Sequence, residues 1–210
     1  SNFPITSTKS FLSTAPVIQY ARLEDYGTIS FLNYLTTSIT SSIIYEIEII
    51  YHWSGGSSTE TVIWKNNNGG TTGQGPLSNT RLGYFGAFPA NLQNWSSTFA
   101  AAVVSGLTHY TVQALNLAGN NISRHNRINI LCPNLKGYEA VRLTWLNKWG
   151  TWDYYTFNMK STRSIKTKRT SYTQLGGTWN ESTFKISGYK GGKKNFRVNS
   201  TEKIKLNTDF

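Results

Sequence analysis

A single cysteine, Cys132, stands in a chain of 210 residues. That excludes an intramolecular disulfide and any zinc cage built on cysteines, and leaves Cys132 to be expected as a small apolar core residue. Charge is scarce as well: 15% of residues are charged, against about a quarter in ordinary globular chains. No run approaches the ~20 apolar residues that a helix needs to cross a bilayer. The opening Ser1-Asn2-Phe3-Pro4 shows neither an initiator methionine nor a charged stretch leading into an apolar signal core. At the other end, residues 202–210 alternate like a strand and stop on Phe210 without a polar tail. Both ends are those expected of a chain processed or cut from something longer. No repeat recurs at a fixed period, which speaks against solenoids and propellers.

What fills the chain is aromatic and small polar. Aromatic residues make up 14%, including seven Trp and twelve Tyr, beside 38% hydrophobic residues in all. Thr, Tyr, Trp and Ile favour pleated strands, while Asn and Gly favour turns, so the composition points to β structure. The net charge of +11 is unevenly spread. Residues 1–130 hold six Lys/Arg and five Asp/Glu, a net of +1, whereas residues 131–210 hold fifteen and five, a net of +10. A basic half implies an acidic partner: a neighbouring subunit, an anionic glycan or nucleic acid.

Residues 1–20, bracketed by Pro4 and Pro16, read as an extended arm lying on a partner or on the domain's own surface. The clearest strand covers 43–53, with Tyr45, Ile47, Ile49, Tyr51 and Trp53 on one face and Ile44, Glu46, Glu48, Ile50 and His52 on the other. Residues 55–58 form the expected turn, and 60–65, with Val62 and Trp64 in step, the return strand. Residues 66–76 are Gly- and Asn-rich and read as a surface loop. Leu92, Trp95, Phe99 and Val103 recur at helical spacing, with Asn91 placed to cap and Gly106 to stop one short helix. Strands are expected at 110–117, 127–132, 139–146, 152–157, 163–170, 183–187, 195–199 and 202–210. The expected fold is all-β: two small β-sandwich or open-barrel units with at most one short helix. The expected division is an arm at 1–20, a β-rich domain at 21–130 and a basic, aromatic-rich β domain at 131–210.

Little in the chain offers catalysis. His52, His109 and His125 show no metal-ligand spacing. Glu46 and Glu48 share a strand face, as an acid–base pair would, but the polar side of an amphipathic strand explains them sufficiently. There is no G-x-S-x-G elbow. The reading is a protein that is not an enzyme, with no catalytic residue, metal ligand or cofactor. Two basic clusters stand out instead. One contains Lys160, Arg163, Lys166, Lys168 and Arg169; the other contains Lys193, Lys194 and Arg197. Cations interleaved with aromatics suit a single-strand nucleic-acid groove, and lysines on an edge strand also discourage aggregation. An interface with an acidic subunit is the favoured reading of the two clusters, ahead of nucleic acid.

Residues 142–157 carry a pattern of a strand, a Leu146-Asn147-Lys148-Trp149-Gly150 turn, and a second strand opening Trp152-Asp153-Tyr154-Tyr155. It resembles a segment of structural virion proteins of tailed bacteriophages, especially phages of marine bacteria. The stretch after it, a basic strand around Ile165, then 188–195 and a last strand at 202–209, is similar to the same group. The resemblance covers about 136–210, and weakly the 43–65 hairpin. It implies a virion role without naming the part of the virion. Together with the surplus of large aromatics, the expectation is a structural subunit of the tail, baseplate or another exposed component, with other virion subunits as partners in a symmetric homo- or hetero-oligomer. It also implies continuation of the chain beyond Phe210. In the motif, Asn147 and Gly150 are expected to form the hairpin loop and Asp153 to bond turn backbone. Trp149, Trp152, Tyr155 and Phe157 are expected to cover one sheet face in cross-strand pairs. The Trp and Tyr content leaves a host-glycan-binding module as the competing class, to be judged by where Trp64, Trp95, Trp149, Trp152 and Trp179 stand.

Overall fold

The structure is a computed structural model that describes residues 11–33, 43–65, 82–131, 138–178, 182–186 and 191–207. Cys132, the loop 66–76 and Trp179 lie outside these residues. Two compact units divide at Met159/Lys160, so the hairpin motif at 142–157 falls in the first and both basic clusters in the second. Among the described residues no helix is long and apolar enough to cross a membrane.

The first unit is built on a five-stranded sheet. Its strands are β1 (Ile18–Ala21), β3 (Glu46–Trp53), β4 (Gly56–Ile63), β6 (Leu107–Leu115) and β7 (Asn126–Ile130), ordered β1-β7-β6-β3-β4. β1 joins β7 in parallel and the remaining pairs are antiparallel. The described end of the expected arm is therefore tied into the sheet edge of its own domain. Alternation on β3 does what its sequence predicts: Ile47, Ile49 and Tyr51 are buried, opposite Ala114, Val112 and Tyr110 of β6. Over this face lies α2 (Ser97–Val104), against β3, β4 and β6, and the pair β2 (Thr28–Leu32) and β5 (Leu82–Gly86) adds Ile29, Phe31 and Phe85 to the same core. The core is aromatic. Phe31 meets Trp64 edge-on at 4.9 Å, and Tyr51, Phe99 and Tyr110 pack mutually at 5.7–6.0 Å. Such contacts add to area burial by about 0.5–1.5 kcal/mol each.

Three local expectations are corrected. The loop between β3 and β4 is Ser54-Gly55 alone, because Trp53 pairs with Gly56 and Gly55 takes φ +91°. The return strand thus starts at Gly56 rather than residue 60, and Trp64 follows it, its indole donating to the Ile44 carbonyl at 2.7 Å. The expected single helix is two, α1 (Pro89–Gln93) and α2, because Ser96 is extended and caps α2 by accepting from the Phe99 amide at 2.8 Å. Asn91 caps nothing; its side chain accepts from the Gly27 amide. Of the strand expected at 183–187, residues 183–186 form none, and 187 lies outside the described residues.

The hairpin β8 (Val141–Leu146) and β9 (Trp152–Phe157) closes the first unit, with β9 against β1 and β2. Asn147 accepts from the Trp149 and Thr151 amides and so shapes the loop, while Gly150 supplies φ +76°. Asp153 departs from expectation: buried, it accepts the backbone amide and hydroxyl of Thr14 at 2.8 and 2.7 Å. Asn147 and Thr151 both donate to the Leu12 carbonyl. The turn residues thus hold the N-terminal segment as well as their own loop. The aromatics also sort differently, because successive strand residues face opposite ways. Tyr155 and Phe157 share one face and pack edge-on within their own strand at 4.8 Å, whereas Trp152 points with Tyr154 to the other and is half exposed, as is Trp149. They do not form one cross-strand row.

An ion cluster fixes this hairpin. Buried Asp25 accepts from the Arg22 amide and guanidinium and lies 3.5 Å from the Arg142 guanidinium of β8. Arg142 also donates to Thr156 and to the Tyr26 carbonyl, and its guanidinium lies over the Phe88 and Tyr154 rings. Burial pulls the Arg142 pKa down and Asp25 pulls it back up.

Candidate functional site

The second unit is a ribbon. β10 (Thr162–Gln174) and β11 (Gly192–Lys205) pair antiparallel and, among the described residues, with nothing else. The described residues of this unit form neither a sandwich nor an open barrel. The two short strands expected at 195–199 and 202–210 are one, running unbroken through Asn199-Ser200-Thr201. One irregularity falls between Thr170 and Ser171, opposite which Phe196 is the extra, unpaired residue. Below the ribbon, Thr178 ties down the connecting segment through bonds to Thr183 and Lys185. Gly177, at φ +92°, lies so close to the Phe184 ring that a β-carbon would stand 2.4 Å from it.

Residues directly opposite in an antiparallel pair share a face, and successive pairs alternate faces. Register therefore sorts the basic residues. One face holds the pairs Arg163–Ile204, Ile165–Glu202, Thr167–Ser200, Arg169–Val198, Ser171–Asn195 and Thr173–Lys193. It mixes an apolar group, Ile165, Val198 and Ile204, with three cations and one carboxylate, Glu202, which meets Arg163 at 3.0 Å. Both partners of that ion pair are about half exposed, so it adds little to stability.

The other face holds Thr162–Lys205, Ser164–Lys203, Lys166–Thr201, Lys168–Asn199, Thr170–Arg197 and Tyr172–Lys194. Each of these six pairs carries one cation, and none carries a carboxylate. The clusters read from sequence are thus divided. Lys166, Lys168, Lys194 and Arg197 stand in this file, Arg163, Arg169 and Lys193 stand on the opposite face, and Lys160 precedes β10. Sequence reading missed Lys203 and Lys205, which complete the file. Their period-two spacing was the available signal, but only the register shows that they continue the line of Lys166 and Lys168.

Elsewhere, two histidines far apart in sequence meet. His52 of β3 and His109 of β6 are register partners whose rings stack at 4.6 Å and 14°. Burial, then Arg127, then His52 hold His109 below the usual histidine range. Glu48 of the carboxylate pair accepts from Gln113, which in turn accepts from Asn121. Among the described residues no three His, Cys, Asp or Glu side chains are grouped to hold a metal ion. The tryptophans are dispersed. Trp64 is fully buried, Trp149 and Trp152 stand on the β8–β9 hairpin, and Trp95 lines an open cavity of about 640 Å³ with Tyr26, Phe85, Asn91 and Asn94.

No protein-family model matches the chain, and no curated protein matches it.

Proposed function

We propose that this protein is a non-enzymatic structural subunit of a bacteriophage virion, in the tail, baseplate or another exposed part, and that its ribbon docks it onto neighbouring subunits. The observation that carries the docking is the ribbon's own incompleteness. Ile165 is 65% exposed, and Val198 and Ile204 beside it are exposed as well. Both strands keep an unpaired outer edge among the described residues. A lone two-stranded hairpin is marginal in water, and open edges beside apolar side chains invite another chain. A neighbour that covers the Ile165 face buries these side chains, and acidic groups on it meet Arg163, Arg169 and Lys193. The virion setting rests on the phage-like pattern at 136–210.

Sedimentation velocity tests the docking. The wild-type chain is expected to assemble, burying more than about 1,000 Å² per contact as stable interfaces do. Ile165→Asp with Val198→Asp is expected to leave a folded monomer, judged by circular dichroism. A wild-type chain that stays monomeric and is absent from purified particles sinks the proposal.

A further inference from the structure

The six-cation face answers to a different chemistry from the face just described. Same-face pairs follow one another at ~6.8 Å along an antiparallel ribbon. Lys205, Lys203, Lys166, Lys168 and Arg197 occupy five successive pairs, and Lys194 the next one beyond the irregularity. No two cations are directly opposed, and the residues across from them are Thr162, Ser164, Thr201, Asn199, Thr170 and Tyr172. Staggering relieves cross-strand repulsion, yet among the described residues the face carries positive charge along its length with no carboxylate in any of these pairs. Lysines that only guard an open edge need no such file. At its far end Tyr172 is 48% exposed on the same face, and Phe196, unpaired in the irregularity beside Arg197, is 77% exposed.

We infer that this face binds single-stranded nucleic acid, with the cation file following the phosphates and Tyr172 and Phe196 stacking on bases. A globular acidic surface offers scattered carboxylates. A nucleic-acid strand offers a regular line of charge together with flat rings, and that pairing of cations with exposed aromatics is what single-strand binding uses. Hydroxyl and amide side chains between the cations add neutral donors for phosphate oxygens. The inference stands apart from the docking proposal, which uses the opposite face.

Fluorescence anisotropy with labelled oligothymidylate and with a duplex of equal length, titrated with the full-length protein across a salt series, tests it. Six phosphate contacts predict a log K against log salt slope of about −4 for the single strand. Lys166→Ala with Lys168→Ala should weaken binding by at least about tenfold at low salt and bring the slope to about −3. Arg163→Ala with Arg169→Ala, on the other face, should leave the slope unchanged. Tyr172→Ala with Phe196→Ala should weaken single-strand binding while leaving the salt slope and duplex binding unchanged. No binding near physiological salt overturns the inference. So does binding that both arginine and lysine pairs reduce alike, which marks unspecific attraction to net charge. Loss of subunit assembly rather than of DNA binding on Lys166→Glu with Lys168→Glu also overturns it, in favour of an acidic protein.

Discussion

Asp25 and Arg142 show how much a single buried charge determines in the first unit. Asp25 is 3% exposed and touches two guanidinium groups, one from its own loop and one from β8. Removing one partner of such a pair strands the other charge away from water, which costs about 3–5 kcal/mol. Asp25→Ala is therefore expected to lower unfolding stability by that order in chemical denaturation. Combined with Arg142→Met, which removes the stranded charge and keeps the packing on Phe88 and Tyr154, the loss should be smaller than for Asp25→Ala alone. Additive losses would show that the two residues act separately.

At the same scale, the His52–His109 stack gives stability a pH dependence. Folding lowers the His109 pKa below its unfolded value of about 6.5, through burial, Arg127 and His52 in that order. Above that value both folded and unfolded chains carry a neutral ring. As pH falls below it the unfolded chain takes up a proton that the folded chain refuses, and stability is lost until the folded value is passed. Denaturant midpoints measured from pH 7.5 to pH 5 should therefore fall more steeply for the wild-type protein than for His109→Asn. Parallel curves would contradict this.

Elements differ in how plainly they are written in the sequence. β3 was legible because one of its faces is buried and the other wet, so Ile47, Ile49 and Tyr51 stand at period two. β9 was legible to its ends as the partner of β8 across the Asn147–Gly150 loop, although both of its faces are packed, Thr156 being buried as well as Asp153 and Tyr155. Gly150 was legible because only a loop there wants a positive φ. The break between α1 and α2 was not, since Leu92, Trp95, Phe99 and Val103 keep helical spacing through it and only the Ser96 cap divides them. The ribbon was read as separate pieces because Phe196 breaks the alternation and Asn199-Ser200-Thr201 is polar on both faces. Pairings across long sequence gaps, such as Asp25 with Arg142 or His52 with His109, are set by tertiary register and leave no local pattern to read. The basic clusters were visible as charge, but their division between two faces needed the register of β10 on β11.

As a whole molecule, the chain joins a unit with an aromatic core to a ribbon that has none. All described residues of β10 and β11 except Gln174 are exposed. Twelve Lys/Arg against three Asp/Glu give residues 160–210 a net of +9, while the first unit holds nine against seven, a net of +2. Burial accounts for the folding of the first unit; among the described residues nothing comparable holds the ribbon, and like charge within it opposes compaction. The central proposal is that the ribbon is completed by other chains of a virion. A density map of the purified particle tests it most directly. The account predicts another chain lying over Ile165, Val198 and Ile204, with acidic side chains opposite Arg163, Arg169 and Lys193. A particle without this chain, or one in which that face of the ribbon stands in solvent, would contradict it.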